Sequence, residues 1–157
     1  MIIRKGEKQD MASVLKLIKE LAIFEKEPNA VVLTEADLIR DGFSDKPLFY
    51  TFVAEVDKQI IGIALYYYRY STWKGKTIHL EDLIVTQASR GTGAGFALYY
   101  EIIKQGKKDK VRRIEWNVLS WNEPAIDFYE KTGAILLEDW RVVNMDENGI
   151  DAFLQKK

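Results

Sequence analysis

The first forty residues alternate between apolar and polar positions in a way that predicts one strand and two helices. Residues 1–5 carry the apolar content of a short strand. Apolar side chains then recur at helical spacing over residues 14–22, and Asp10 stands where it can cap that helix. Thr34 and Asp37 form the pattern of a capping box, which predicts the start of a second helix.

From Leu48 onward the pattern changes to that of strands. LFYTFVAEV and QIIGIALYYYRY, separated by Asp-Lys, predict a hairpin. TIHLEDLIV, residues 77–85, is the fourth predicted strand, and its apolar parity flips around Glu81 and Asp82. A strand changes parity only where an extra residue is inserted, so the flip predicts a bulge. A bulge leaves main-chain groups unpaired, and such defects are common beside functional sites.

The rest of the chain predicts two further helix–strand pairs. A helix is expected over residues 96–105 and a strand over 113–118. Asn122 caps the next helix, Pro124 lies in its first turn, and a last strand is expected over residues 140–144. The resulting order, β-α-α-β-β-β-α-β-α-β, predicts a mixed α/β sheet.

Composition narrows the class of protein. The 157 residues are expected to form one domain, residues 1–157, with 47% hydrophobic and 30% charged residues. The net charge of −1 gives no indication of a nucleic acid or a membrane as partner, and a cytoplasmic protein is expected. Without cysteine, a thiolate metal site and a cysteine nucleophile are excluded. His79, the sole histidine, is expected to support a neighbouring site residue or to lie on the surface, and no metal site is expected.

The segment SRGTGAGF, which follows the bulged strand, holds three glycines in five positions. A Walker loop needs lysine after its last glycine, and a dinucleotide fingerprint needs a third glycine at the position of Phe96, so both fail. Main-chain N–H groups at a glycine-rich helix start nevertheless form a concavity that binds phosphate. The alternative is a tight turn without a ligand.

R-G-x-G-x-G after a bulged strand resembles the pyrophosphate loop of the GNAT superfamily of N-acetyltransferases, and the element order is similar over essentially the whole chain. LIKELAIFEKE, LTEADLIRDGF, YSTWKGKTIHLEDLIV and SWNEPAIDFYEKTGA resemble the spermidine/spermine (diamine) acetyltransferase group. YSTWKGKT and FEK are closer to its thialysine acetyltransferase branch. The resemblance implies a mixed, mostly antiparallel central sheet with a bulged fourth strand, flanked by helices.

The resemblance also implies acetyl-CoA as cosubstrate, with no metal. Main-chain groups of the bulged strand and the glycine segment are then expected to hold it, together with the start of the helix that begins at Asn122. The side chain of Asn122 is implied to contact the same arm, with a helix cap as the alternative, and Arg90 either reaches a phosphate or only covers the loop. The implied residues are Leu83, Ile84, Val85, Arg90, Gly91, Thr92, Gly93, Ala94, Gly95, Phe96, Asn122, Pro124 and Ala125. Ala94 and Phe96 depart from the family pattern, but the loop acts through its main chain.

Two catalytic residues follow from the same resemblance. An alkylamine with a pKa near ~10.4 is protonated at neutral pH, so the reaction needs a proton acceptor. Glu81 is implied as that base or as the anchor of a water that acts as base; the alternative is a solvent-facing carboxylate. Tyr129 is implied as the acid that protonates the departing thiolate; the alternative is a core tyrosine with its hydroxyl at the rim.

The acceptor is implied to be a small amine. Residues 20–45 hold seven acids against two bases, which suits a cation but is also typical of a solvated face. Phe24, Glu25, Trp73, Glu81 and Asp82 match substrate positions of the family. Ser71 and Phe24 replace an aspartate and a tyrosine of the polyamine enzymes, which favours a smaller amine.

Three functions compete at this point: acetyl transfer to a small amine, acetylation of protein lysines or N-termini, and a non-catalytic acyl-CoA-binding module. Because Glu81 and Tyr129 are present, the sequence favours the first. The resemblance also implies a homodimer paired through C-terminal strands. The amine itself (thialysine, a lysine-like amino acid, a diamine or a polyamine) stays open.

Overall fold

The computed structural model describes residues 1–156, which contain five strands and five α-helices. They are β1 (Ile2–Lys5), α1 (Met11–Phe24), α2 (Glu35–Gly42), β2 (Tyr50–Val56), β3 (Gln59–Ser71), β4 (Gly75–Val85), α3 (Ala94–Lys108), β5 (Ile114–Glu115), α4 (Glu123–Lys131) and α5 (Glu147–Leu154). These residues form two compact units, Met1–Asn117 and the segment from Val118 onward. Within residues 1–156, no helix combines the length and the apolar character needed to cross a bilayer.

The first unit is built on one sheet with the strand order β1-β2-β3-β4-β5. Neighbouring strands are antiparallel except for β4 and β5, which are parallel. Asp57 and Lys58 form the β2–β3 turn with φ of 49° and 65°, the left-handed pair that fits the twist of a two-residue hairpin. The predicted mixed, mostly antiparallel sheet flanked by helices is confirmed.

The predicted bulge lies in β4. Asp82 pairs with Leu65 and Leu80 pairs with Tyr66, so Glu81 is the extra residue between two consecutive pairs. Residues after Glu81 therefore take the opposite parity, which is what the alternation of apolar residues predicted.

Helices cover both faces of the sheet. On one face, Val14 of α1 and Leu38 of α2 pack against Ile63 and its neighbours in a buried cluster. Gly62 has the opposite parity, and a Cβ there would lie 3.1 Å from Leu98 Cδ1, so the missing side chain lets α3 approach the other face. The core therefore fixes β3 and β4 between two helical layers.

The two predicted helix starts differ in detail. Thr34 accepts a hydrogen bond from the Asp37 N–H at 3.2 Å and donates its own N–H to Asp37 at 2.9 Å, which confirms the capping box. Asp10 does precede α1, but its carboxylate accepts from Arg4 at 2.7 and 2.9 Å and from the Glu7 N–H at 2.7 Å, and it makes no capping bond to α1. A short 3₁₀ turn, Lys8–Asp10, puts Asp10 in the helical region, where its side chain faces Arg4 instead.

The strand expected over residues 140–144 is wrong, because the structure has irregular chain there. A strand needs a neighbour to pair with, and within residues 1–156 the sheet ends at β5, which is only two residues long. Trp140 is 71% exposed and Val143 is 90% exposed. The apolar alternation of this segment is therefore real, but nothing among the described residues pairs with it as a strand.

Candidate active site

The glycine segment follows β4 and a short 3₁₀ turn, Gln87–Ser89. Gly91 and Gly93 have φ of 79° and 84°, in the left-handed region, where other residues lose roughly 1–2 kcal/mol. A Cβ built on either glycine would meet nothing within 4 Å. These glycines are therefore required by backbone conformation and leave open space beside the main chain, which suits a ligand that approaches the chain itself.

Gly93 is the N-cap of α3, and its carbonyl accepts from the Ala97 N–H at 3.0 Å. The first-turn N–H groups of a helix have no acceptor within the helix, and the helix dipole adds partial positive charge there. Ala94 is 1% exposed and packs inward, whereas Phe96 is 58% exposed. The start of α3 thus has the geometry that binds phosphate through the main chain.

The predicted residue Arg90 and the unpredicted residue Glu20 tie this segment to the rest of the unit. Glu20 of α1 accepts from Thr86 Oγ1 at 2.9 Å and from the Gln87 N–H at 2.8 Å. Arg90 Nε lies 3.5 Å from the Val85 carbonyl, and its guanidinium is 5.3 Å from the centre of the Phe24 ring. In the sequence, Glu20 was only one of seven acids, and nothing distinguished it before the fold brought it to the loop.

Three of the predicted substrate residues come together at the bulge. Burial, and then the charges of Glu81 and Glu25, raise the pKa of Asp82 to about 7. Desolvation and the charge of Glu81 raise the pKa of Glu25, which directly follows α1. Glu25, Glu81 and Asp82, hereafter the acidic cluster, therefore act on one another electrostatically, although Glu25 is more than fifty residues away in sequence.

Glu81 has two neighbours that sequence reasoning did not assign to it. Its side chain is 51% exposed, and Glu81 Oε2 lies 3.5 Å from His79 Nε2. Burial, followed by the Glu81 charge, raises the pKa of Tyr67. His79 is only 6% exposed, so a surface role is wrong and the supporting role stays open. The sequence did not distinguish Tyr67 from the other tyrosines of β3. Its place in the site follows from the strand register, which pairs Tyr67 with His79.

The β4 segment predicted to hold the cosubstrate lies beside this cluster. β5 pairs with β4 only at Ile78 and His79, so in the described part of this unit no strand pairs along that edge beyond the bulge. Ile84 is buried at 4% exposure, and its side chain belongs to the core, so it can act only through its main chain. Leu83 and Val85 are half-buried. An open strand edge of this kind offers main-chain groups to an extended amide-bearing ligand.

Trp73, a further predicted substrate residue, does not lie near the acidic cluster within the described chain. It lies in the tight β3–β4 turn, is 76% exposed, and donates its N–H to Ser71 Oγ at 3.2 Å. At ~3.3 Å per residue, the six steps of β4 from Gly75 to Glu81 separate it from the bulge by about 20 Å. Ser71, which departs from the family pattern, thus has a structural role in the turn.

The remaining predicted residues belong to the second unit. Asn122 is the N-cap of α4, and its main-chain carbonyl accepts from the Ala125 N–H at 3.0 Å, but its side chain makes no capping bond within the described residues. Pro124 lies in the first turn, as predicted. Tyr129 is half-buried on α4 with its ring 5.3 Å from that of Phe128. The Asn122 amide is thus not used by the cap that its position indicated.

The fold, the bulged strand and the glycine-capped helix define a class of protein. Residues 14–134 match the acetyltransferase (GNAT) family, and the chain belongs to that family. It is accordingly an N-acetyltransferase, and acetyltransferases of this fold use acetyl-CoA as cosubstrate.

Comparison with individual proteins adds detail to the family assignment. The chain is 39% identical over 150 residues to human (Homo sapiens) spermidine/spermine N(1)-acetyltransferase-like protein 1, covering 89% of this chain but only 22% of that longer protein. It is 36% identical over 141 residues to thialysine N-epsilon-acetyltransferase of Bos taurus, covering 85% and 83% of the two chains. An integron cassette protein from the mobile metagenome of V. cholerae shares the fold, with a TM-score of 0.80 at 22% identity over 98% and 97% of the chains.

Proposed function

We propose that this enzyme transfers an acetyl group from acetyl-CoA directly to a primary amine of a small diamine, polyamine or lysine/thialysine-like substrate. The single observation that carries the proposal is the acidic cluster of Glu25, Glu81 and Asp82, two members of which lie on β4, the strand whose edge is open for the cosubstrate. The names of the spermidine/spermine-like and thialysine relatives support the same substrate class.

The residues present fit acetyl-CoA at the glycine segment. Gly91 and Gly93 leave their main chain accessible, and the first turn of α3 supplies N–H groups for two linked phosphates. The free edge of β4 at Leu83 and Val85 supplies amide groups for an extended arm. The family resemblance adds the Asn122 side chain as a proposed contact of that arm. When bound, acetyl-CoA supplies a thioester whose carbonyl carbon an amine can attack.

Glu81 is proposed to take the proton from the substrate ammonium, directly or through a water. An alkylamine with a pKa near ~10.4 has to lose a proton before it can attack, and a partly exposed carboxylate at the bulge is within reach of solvent. Asp82 is a poorer candidate, because it is half-buried and, with a pKa of about 7, is about half protonated at neutral pH. Glu25 and Asp82 are proposed to attract the substrate cation.

Tyr129 is proposed to protonate the departing thiolate, since a phenol with a pKa near ~10 can donate to a thiolate whose acid has a pKa near ~8.5. Tyr129→Phe is expected to lower kcat about 100-fold and to leave CoA affinity unchanged. Tyr100→Phe is the matched control, because Tyr100 is 56% exposed on α3. An unchanged kcat in Tyr129→Phe contradicts the acid role.

The substrate class is tested with a panel of free diamines, polyamines, lysine, thialysine and lysine-containing peptides, with thiol release from acetyl-CoA as the readout. The proposal expects release with free amines and little with peptides. Faster turnover of peptides supports a protein acetyltransferase. CoA binding by calorimetry without any turnover supports a non-catalytic acyl-CoA-binding module.

A homodimer and a cytoplasmic location also belong to this proposal. The exposed apolar residues of the second unit, among them Ile135, Val143 and Phe153, suit a surface that is covered by a second copy. Light scattering is expected to give twice the chain mass. A monomeric mass under the assay conditions contradicts the dimer without affecting the acetyl-transfer proposal.

A further inference from the structure

The site residue Glu81 is contacted by an unbroken row of polar side chains on the sheet. Arg69 Nη1 lies 3.4 Å from His79 Nδ1, and His79 Nε2 lies 3.5 Å from Glu81 Oε2. Tyr67 lies beside His79, with its ring 5.1 Å from the imidazole, and the Glu81 charge acts on the Tyr67 hydroxyl. The half-exposed carboxylate of Glu81 thus has the buried imidazole of His79 on its protein side, with the half-buried ring of Tyr67 next to that imidazole.

The contacts of the imidazole determine which of its nitrogens carries the proton. A guanidinium has only donors, so Nδ1 of His79 has to accept from Arg69. In a neutral imidazole the other nitrogen then carries the hydrogen, which places an Nε2–H group toward Glu81. Burial, the largest effect on this group, lowers the His79 pKa and favours the neutral form.

Arg69 is itself held in place from the neighbouring strand. Arg69 Nη1 lies 3.0 Å from Glu115 Oε1, and Arg113 Nε lies 3.0 Å from the other oxygen of Glu115. The charged and titratable groups that face His79 are therefore Tyr67 and Arg69 from β3, Glu81 from its own strand and Glu115 from β5. The Arg69 charge opposes protonation of the imidazole, whereas Glu81 and Glu115 favour it.

We propose that Arg69 holds His79 as its Nε2–H tautomer and that His79, together with Tyr67, is a positioning residue that fixes the Glu81 carboxylate for proton abstraction from the substrate ammonium. The inference rests on the proposed role of Glu81 as base. In this arrangement His79 donates to Glu81 and does not take the substrate proton, because its only lone pair faces Arg69. The proton that Glu81 accepts therefore leaves through solvent on the exposed side of the carboxylate.

The first test reads the tautomer without any reaction. His79 is the only histidine in the chain, so the signals of isotopically labelled imidazole nitrogens belong to it alone. The expected spectrum shows a protonated Nε2 and an unprotonated Nδ1, with titration below the ordinary value of about 6.5. Arg69→Met is expected to mix the two tautomers, while Arg112→Met, the control arginine outside this row, leaves the spectrum unchanged. An Nδ1–H tautomer, or a spectrum that Arg69→Met does not alter, overturns the proposal.

The second test separates positioning from folding. His79→Gln keeps an N–H donor and is expected to retain most of kcat. His79→Phe keeps a ring without the donor, and its kcat is expected to fall about tenfold with an unchanged KM for acetyl-CoA. Tyr67→Phe, which removes a hydroxyl only, provides a variant that keeps the inference testable if His79→Phe does not fold. Equal kcat values for His79→Gln, His79→Phe and wild type overturn the positioning role.

Glu81→Gln distinguishes failure of this inference from failure of the proposed function. If Glu81→Gln retains the wild-type rate and pH profile, Glu81 is not the base and the positioning role fails with it, even where the tautomer is as expected. If kcat falls about 100-fold in Glu81→Gln while His79→Phe and Tyr67→Phe retain the wild-type rate, the role of Glu81 as base is supported and only the positioning inference is wrong. If Glu81→Gln, His79→Phe and Tyr67→Phe all lose kcat, and His79→Gln retains it, the results support both the role of Glu81 as base and the positioning role of His79 and Tyr67.

Discussion

The glycine segment and the acidic cluster lie on either side of the last residues of β4, yet they are built in opposite ways. Gly91 and Gly93 present main chain and contribute no titratable group. Glu81 and Asp82 present carboxylates, and burial of Asp82, followed by the charges of Glu81 and Glu25, raises the pKa of Asp82 to about 7. A phosphate site of the first kind depends on backbone angles and is insensitive to pH near neutrality. A cation site of the second kind depends on charge and changes with pH.

The largest effect is expected where the main chain cannot adapt. Gly93→Val places a β-branched residue at φ of 84°, where it is a genuine outlier. Flipping the backbone to relieve this strain removes N–H groups from the proposed phosphate site, so CoA affinity is expected to fall about 100-fold by calorimetry. Gly75→Val is the matched control, because Gly75 has φ of 75° and equally open surroundings at the β3–β4 turn.

Gly75→Val is expected to lose roughly 1–2 kcal/mol of stability, like Gly93→Val, and to bind CoA as the wild type does. If both variants lose affinity equally, the effect reports general destabilisation. If Gly93→Val binds normally, the glycine segment does not hold the cosubstrate through its main chain, and the contrast between the two regions fails.

A smaller effect is expected from Asp82, and it depends on pH. The raised pKa of Asp82, about 7 against an ordinary 3.8, means that folding disfavours the ionised carboxylate. Its contribution to stability is therefore fully present below the ordinary value and is lost as the pH rises to about 7. Asp82→Asn removes this loss, so the variant is expected to be more stable than wild type near pH ~8, and the difference is expected to disappear as the pH falls below the ordinary value of 3.8.

Asp109→Asn is the control, because it is expected to change the stability at neutral pH in the opposite direction. The pKa of Asp109 is lowered, because the donors Tyr68 and Gln105 and two lysine charges outweigh its desolvation. This group stabilises the folded state above its ordinary pKa, and that stabilisation is lost as the pH falls. Urea unfolding near neutral pH is therefore expected to show Asp82→Asn gaining and Asp109→Asn losing. An Asp82→Asn variant without a gain near pH ~8 shows that burial and the neighbouring carboxylates do not raise the pKa of Asp82.

The sequence correctly predicted those features of the fold that depend only on residues close together along the chain. The parity flip at Glu81, the Thr34–Asp37 capping box and the Asp57–Lys58 turn depend on residues within a few positions of one another, and the structure has all three. The strand over residues 140–144 failed because pairing requires a distant neighbour that alternation does not reveal.

The same distinction applies to the candidate site. Glu81 and Asp82 were visible as a fault in one strand, but their coupling to Glu25 depends on where α1 ends relative to β4. The contribution of Tyr67 depends on its register opposite His79, and single-sequence patterns do not fix which tyrosine of an aromatic strand takes that position. Tyr67 and Glu20, which act through tertiary contacts, were therefore missed. Glu81 and Asp82 were marked by a local defect, and Glu25 was found only through the family resemblance.

The smallest expected effect concerns Glu20, the residue that links the two regions. Glu20 belongs to α1, the helix that ends beside Glu25, and it accepts two hydrogen bonds from Thr86 and Gln87, just before the glycine segment. Glu20→Gln keeps one carbonyl acceptor but removes the charge that strengthens both bonds. CoA affinity is expected to fall about fivefold, with a smaller change in the KM for the amine.

Glu101→Gln is the matched control, since Glu101 is also a partly buried helical glutamate and bonds only Lys104, at 3.1 and 3.3 Å, among the contacts described for it. Its CoA affinity is expected to equal that of wild type. Equal loss in both variants assigns the effect to net charge, whereas loss in Glu20→Gln alone assigns it to the anchored loop. No loss in Glu20→Gln means that the glycine segment keeps its conformation without α1, in which case the main-chain site and the acidic cluster are independent as well as different in kind.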